Sequence, residues 1–106
     1  MQITLVHHEN TLTVLPGRAE TLTVQRDPRL IGSAIRVSDA AEKYHVSQPT
    51  LTRWANRGLI TVLRREPHIL ELDEADVNLA VSLYEKLIAH TTPQQAGRYL
   101  NELLTN

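Results

Sequence analysis

Ser38-Asp39-Ala40-Ala41-Glu42-Lys43-Tyr44-His45-Val46 runs directly into Ser47-Gln48-Pro49-Thr50-Leu51-Thr52-Arg53-Trp54-Ala55-Asn56-Arg57-Gly58-Leu59-Ile60. The pattern predicts two short helices joined by a tight corner. Ser38 is a favourable N-cap, and Asp39 suits a first turn, where the helix dipole favours an acid. The first helix is expected to end near Tyr44. Ser47 caps the second, and Pro49 is tolerated near its start because the first amides lack intrahelical partners anyway. Gly58 ends it, since the terminating left-handed position prefers glycine. At about 100° per residue, Leu51 and Trp54 define the inward face of the second helix. Pro49, Thr52, Arg53 and Asn56 fall roughly opposite, with Gln48 and Arg57 toward the flanks.

Working outward, residues 60–64 and 69–72 read as two extended stretches joined by Arg65-Glu66-Pro67-His68, a hairpin. Asp73 then caps a helix on which Val77, Ala80, Val81, Tyr84, Leu87 and Ile88 share one face. Thr92-Pro93-Gln94-Gln95 is a capping box with proline at the first helical position. It opens a last helix bearing Ala96, Tyr99, Leu100, Leu103 and Leu104, so the end of the chain is a helical hairpin. On the amino-terminal side, Ile3 and Leu5, Leu12 and Val14, and Leu22 and Val24 each stand two apart, the period of a strand. His8-Glu9-Asn10 and Pro16-Gly17-Arg18 supply turns between them, giving a hairpin or three-stranded meander. Thr-Leu-Thr-Val occurs at 11–14 and 21–24, which reflects shared strand preference; residues 27–33 read as a connector. The expected fold class is α+β, with segments 1–33, 34–76 and 77–106.

A chain of 106 residues is normally one domain, and a hydrophobic share of 42% is ordinary for a globular one. With only Trp54 and three tyrosines as aromatics, the core has to rest on Leu, Val, Ile and Ala. The absence of cysteine excludes disulfides and thiolate metal sites and fits a cytoplasmic location. Neither a signal peptide nor a membrane-spanning apolar run is found. The net charge is only −1, but the charges are segregated. From Lys43 to His68 there are five cations, Lys43, Arg53, Arg57, Arg64 and Arg65, against Glu66 alone; Glu71, Asp73, Glu74 and Asp76 follow without a cation. Local sign, not the total, decides whether a face can dock on phosphate.

A helix pair with a polar, cationic second helix is the arrangement that places a recognition helix in the major groove of double-stranded DNA. Arg53 is the first choice for a base contact, because its fork can donate to guanine O6 and N7 together. Gln48 and Thr50, in the exposed first turn with Ser47 and Pro49, can reach base edges or phosphate; Thr52 lies on the same face. Asn56 can read an adenine or hold a phosphate. Arg57 and Lys43 suit phosphates, which position a protein without reading sequence. Arg64, Arg65 and His68 in the hairpin can clamp backbone or enter a minor groove. Trp54, turned inward, is expected to pack on Ala40, Ala41 and Val46.

Residues 37–77 resemble the MerR-like, excisionase-type winged helix-turn-helix family. The resemblance rests on Val37-Ser38-Asp39-Ala40-Ala41, Val46-Ser47-Gln48-Pro49-Thr50-Leu51, Arg53-Trp54 and Gly58-Leu59-Ile60. It continues through Arg64-Arg65 and Leu72-Asp73-Glu74-Ala75-Asp76-Val77, about 40 residues in all. It implies a second helix in the major groove and a wing against backbone or minor groove. Two positions depart from the pattern. His45 stands where relatives often carry glycine, which requires a non-glycine residue to go left-handed; the wing tip lacks glycine and carries Glu66.

The expected function is sequence-specific duplex binding in transcription regulation, by a homodimer or an oligomer assembled on DNA. Tyr84, Leu87, Leu100, Leu103 and Leu104 are candidates for the dimer surface, the alternative being that they fold back on their own core. An excisionase-like architectural factor, or the arm of a recombinase, is the second reading. A protein-interaction adaptor that keeps the fold without DNA is the third. Neither a catalytic motif nor a small-molecule site is found, and the five scattered histidines lack metal-ligand spacing. No cofactor is expected.

Overall fold

A computed structural model describes the backbone of residues 3–8, 11–16, 22–89 and 91–104, with side chains from 26 to 89, 91 to 102 and at 104. It is an α+β chain. Three strands come first, β1 (Ile3–His8), β2 (Thr11–Pro16) and β3 (Leu22–Gln25), paired antiparallel in chain order as a meander. The turns expected at Glu9-Asn10 and Gly17-Arg18 lie outside the described residues, as does His90. A 3₁₀ turn at Pro28–Leu30 follows, capped by Asp27.

A second antiparallel sheet has the order β4-β6-β5, from β4 (Ala34–Arg36), β5 (Val62–Glu66) and β6 (Ile69–Asp73). Strand β4 is not foreseen by the sequence reading. It runs without a linker into α1 (Val37–Tyr44), so the N-cap is Arg36, which makes no side-chain capping bond. This corrects the expectation for Ser38. Because Arg36 is still paired with Glu71 in the sheet, the helix starts one residue ahead of Ser38.

The corner between α1 and α2 (Gln48–Asn56) takes three residues. His45 sits left-handed at φ 56°, ψ 43°, and the Val46 amide returns to the Ala41 carbonyl at 3.2 Å. Ser47 caps α2 by accepting the Thr50 amide at 3.3 Å. At its far end Gly58 has φ 78°, its amide bonds Ala55 and the Leu59 amide bonds Trp54, a Schellman motif closed over the Trp54 side chain's turn. The hairpin differs from expectation. Ile60 is buried ahead of the strand, Arg65 and Glu66 belong to β5, and the turn is Pro67-His68 alone. Proline fixes φ near −65° and His68 takes φ 82°, the pattern of a type II turn with histidine in the usual glycine place.

Helix α3 (Glu74–Ile88), capped by Asp73, is central. The single apolar face read from sequence is too narrow. Leu79 and Leu83 are buried as well as Val77, Ala80, Val81 and Leu87, because β3, α1, β6 and α4 (Pro93–Leu104) all pack around this helix. Thr92 caps α4 through the Gln95 amide at 3.2 Å. The core joins Leu51, Trp54, Leu59 and Ile60 with Leu72, the α3 residues, Ala96 and Leu100. Leu87 and Leu100 are 1% and 0% exposed, so they cannot form a dimer surface; they fold back on their own chain.

Candidate nucleic-acid interface

Six of the expected site residues on α2 and its C-cap share one surface, while Thr50 lines the groove toward α4. Gln48, Pro49, Thr52, Arg53, Asn56 and Arg57 line a single shallow, open concavity on the helix side away from Leu51 and Trp54. Trp54 is 4% exposed, its ring tilted 58° against Tyr84 at 5.6 Å. Within the first turn the polar groups are already organised. The Ser47 hydroxyl donates to Thr50 Oγ1 at 2.8 Å, and Arg53 Nη2 donates to the same oxygen at 3.3 Å. Thr50 therefore holds the Arg53 guanidinium along the helix.

Two grooves flank this surface. One lies between α2, the start of α1 and the hairpin, and includes Arg36, Ser38, Gln48, Thr52, Arg65 and His68. The other lies between α2 and α4 and includes Arg53, Arg57, Gln94, Arg98 and Asn101, with Trp54 and Tyr84 beneath. Arg36 and Arg98 are absent from the sequence-derived set. Arg36 belongs to a strand that periodicity does not mark in three residues. Arg98 comes from a helix more than 40 positions away, and only the docking of α4 brings it beside α2.

The cations divide into two groups. Arg64 donates to Glu66 at 2.9 Å and to its cross-strand neighbour Glu71 at 3.3 Å. Lys43 is paired with Glu74. Lys43 is expected on phosphate and Arg64 on backbone or in a minor groove, and both have their charge answered by carboxylates within the chain. Arg36, Arg53, Arg57, Arg65 and Arg98 enter none of the ion pairs found among the described residues. Alternation along β5 explains why neighbours Arg64 and Arg65 part company, since successive strand side chains take opposite faces. Arg65 turns toward α2, where its Nη2 donates to Asn56 Oδ1 at 3.2 Å.

The acids around 73–76 are not only helix-terminal charges. Asp76, 6% exposed, accepts the Thr61 amide at 2.8 Å and pairs with Arg26 at 2.8 Å. Asp73 caps α3 through Ala75 and accepts the Gly32 amide at 3.2 Å. Glu74 accepts from Lys43 and from the Tyr44 hydroxyl. Burial pushes the Glu74 carboxyl up, but the hydrogen bonds from Lys43 and Tyr44 outweigh it, and it lies below the usual carboxylate value. These acids are engaged inside the fold, and none of them pairs with an arginine of the α2 surface.

Among the described residues no three His, Asp or Glu side chains gather as a metal site, and no helix is long and apolar enough to cross a membrane. Comparison of the chain with family models, curated proteins and solved structures gives no match.

Proposed function

We propose that this chain is a sequence-specific double-stranded-DNA-binding protein of the winged helix-turn-helix kind, acting in transcription regulation. In this reading α2 enters the major groove and the β5–β6 hairpin is the wing beside it along the backbone. The observation that carries the reading is the placement of Arg36, Arg53, Arg57, Arg65 and Arg98. These five arginines, none of them in an ion pair found among the described residues, lie on α2 or in the grooves at its sides. A duplex laid along α2 meets phosphate-binding cations on both flanks and Arg53, Gln48 and Thr52 at the centre, the division of labour between positioning and readout that DNA recognition needs.

The test is a selection of bound duplexes from a random pool, followed by affinity measurements on the selected sequence across a salt series. Each phosphate contact contributes roughly −0.9 to the slope of log K against log salt. Three or four arginines on phosphate, with Arg53 on a base, give a slope of about −2.7 to −3.6. Arg53→Ala is expected to cost about 1–3 kcal/mol on the selected duplex and to relax preference at one base pair. A flat salt response, with no sequence enriched, is the result of an adaptor that has kept the fold without DNA.

A further inference from the structure

The contact between Arg65 and Asn56 changes what each can recognise. A guanidinium only donates hydrogen bonds, so Asn56 must turn its oxygen, not its amide nitrogen, toward Arg65 Nη2, as the 3.2 Å geometry has it. Asparagine reads adenine by accepting from N6 with that same oxygen while donating to N7. Arg65 takes one of the two lone pairs on that oxygen and sets the orientation of the amide, so Asn56 turns its two N–H donors to a ligand and keeps a single lone pair beside a positive guanidinium. Arg65 adds further donors beside them. Asn56 is exposed on the α2 surface, and Arg65 is exposed in the adjoining groove with Gln48 and Thr52.

We infer that Asn56 and Arg65 act as one composite reading head, presenting chiefly donors, and that it selects guanine. This deepens the DNA-binding reading above and rests on it. Guanine is the base whose major-groove edge offers two adjacent acceptors, O6 and N7, and no donor, whereas adenine N6 faces the Arg65 donors with a clashing N–H. Arg65 on this account works with the recognition helix and is a specificity residue, not a uniform backbone clamp of the wing. Asn56 has a double part: it contacts the base and positions Arg65. Among the described residues the bond to Asn56 is the one found on the Arg65 guanidinium; Arg64, its neighbour, is fixed on the opposite face by Glu66 and Glu71.

The experiment determines base preferences from random duplex pools for the wild type, Asn56→Ala, Arg65→Ala and Arg65→Lys, with thermal melts of each to show that it folds. The expected result is loss of a guanine preference at one and the same position in Asn56→Ala and Arg65→Ala, by roughly tenfold. Arg65→Lys, which keeps the charge and loses the fork, is expected not to restore it. Replacing that guanine by 7-deazaguanine is expected to weaken the wild type and leave both alanine variants little changed. The inference is overturned if Arg65→Ala weakens all duplexes alike and Arg65→Lys recovers them, which marks a phosphate contact, or if the two alanine variants relax different positions. A wild type that binds no duplex even at low salt overturns the DNA reading itself, and this inference with it.

Discussion

At the scale of the residue, His45 shows how a local sequence cost is absorbed by the corner it makes. Its left-handed backbone lets the Val46 amide close on Ala41 and turns the chain toward Ser47 within three residues. A left-handed conformation costs a residue with a Cβ about 1–2 kcal/mol, partly relieved for histidine, while glycine pays about 0.5–1 kcal/mol in chain entropy. His45→Gly is therefore expected to raise stability modestly, by about 0.5 kcal/mol, and His45→Val to lower it. Urea midpoints of the two variants check this; a glycine variant less stable than the parent would mean that the imidazole itself stabilises the corner. Arg53 is the opposite kind of residue, exposed but not loose. Thr50 holds its guanidinium, so fewer rotamers are lost when a ligand binds.

The element that unites the fold is the start of α3. Asp73, Glu74 and Asp76 connect it to the 26–33 connector, to α1 and to the residue that opens the hairpin. Glu74 has a measurable signature. Its carboxyl is held low in the folded chain, so the unfolded chain binds the proton more readily as pH falls. Its stabilising contribution is fully present above the ordinary glutamate value of about 4.3 and is lost as pH drops through the lower folded value. Glu74→Gln is expected to be less stable than the parent at pH 7, with the difference shrinking below about pH 4. Urea unfolding from pH 7 to pH 3 provides the measurement. A gap of constant size across that range would show that the carboxylate charge contributes nothing and that only shape and hydrogen bonding matter.

Across the whole molecule, α4 is part of the core. Ala96 and Leu100 are fully buried against α3 and the helix pair, and the same docking carries Arg98 to the edge of α2. Leu100→Ala is expected to destabilise the fold by about 2–5 kcal/mol, the range for a buried leucine truncated to alanine. A melt lowered without a change in sedimentation at matched concentration is the expected pair of results. A shift in oligomeric state at unchanged stability would return Leu100 to a subunit interface. Through the Arg26–Asp76 ion pair the amino-terminal meander is fastened to the same α3 residue that holds Thr61. The strands at the front of the chain and the base of the hairpin thus share one buried carboxylate.

Local signals carry far in this chain. The caps at Ser47, Asp73 and Thr92, the stop at Gly58 and the inward Trp54 are all legible in sequence, because each depends on neighbours within about one helical turn, whereas the left-handed His45 is expected only from the family resemblance. The meander is legible too, since strand alternation needs only its own residues. Strand β4, the burial of α3 on several sides and the exact ends of the hairpin are not. They are fixed by partners distant in sequence: Glu71 for Arg36, the packing of several elements on α3, and the register of β5 on β6. The same holds for the candidate site. Sequence alone determined which face of α2 carries Arg53, Asn56 and Arg57, because helical periodicity is a local property. Only the tertiary structure decided which cations stay uncancelled, since pairing Lys43 with Glu74, turning Arg65 to Asn56 and bringing Arg98 to α2 each require segments that meet only after the chain has folded.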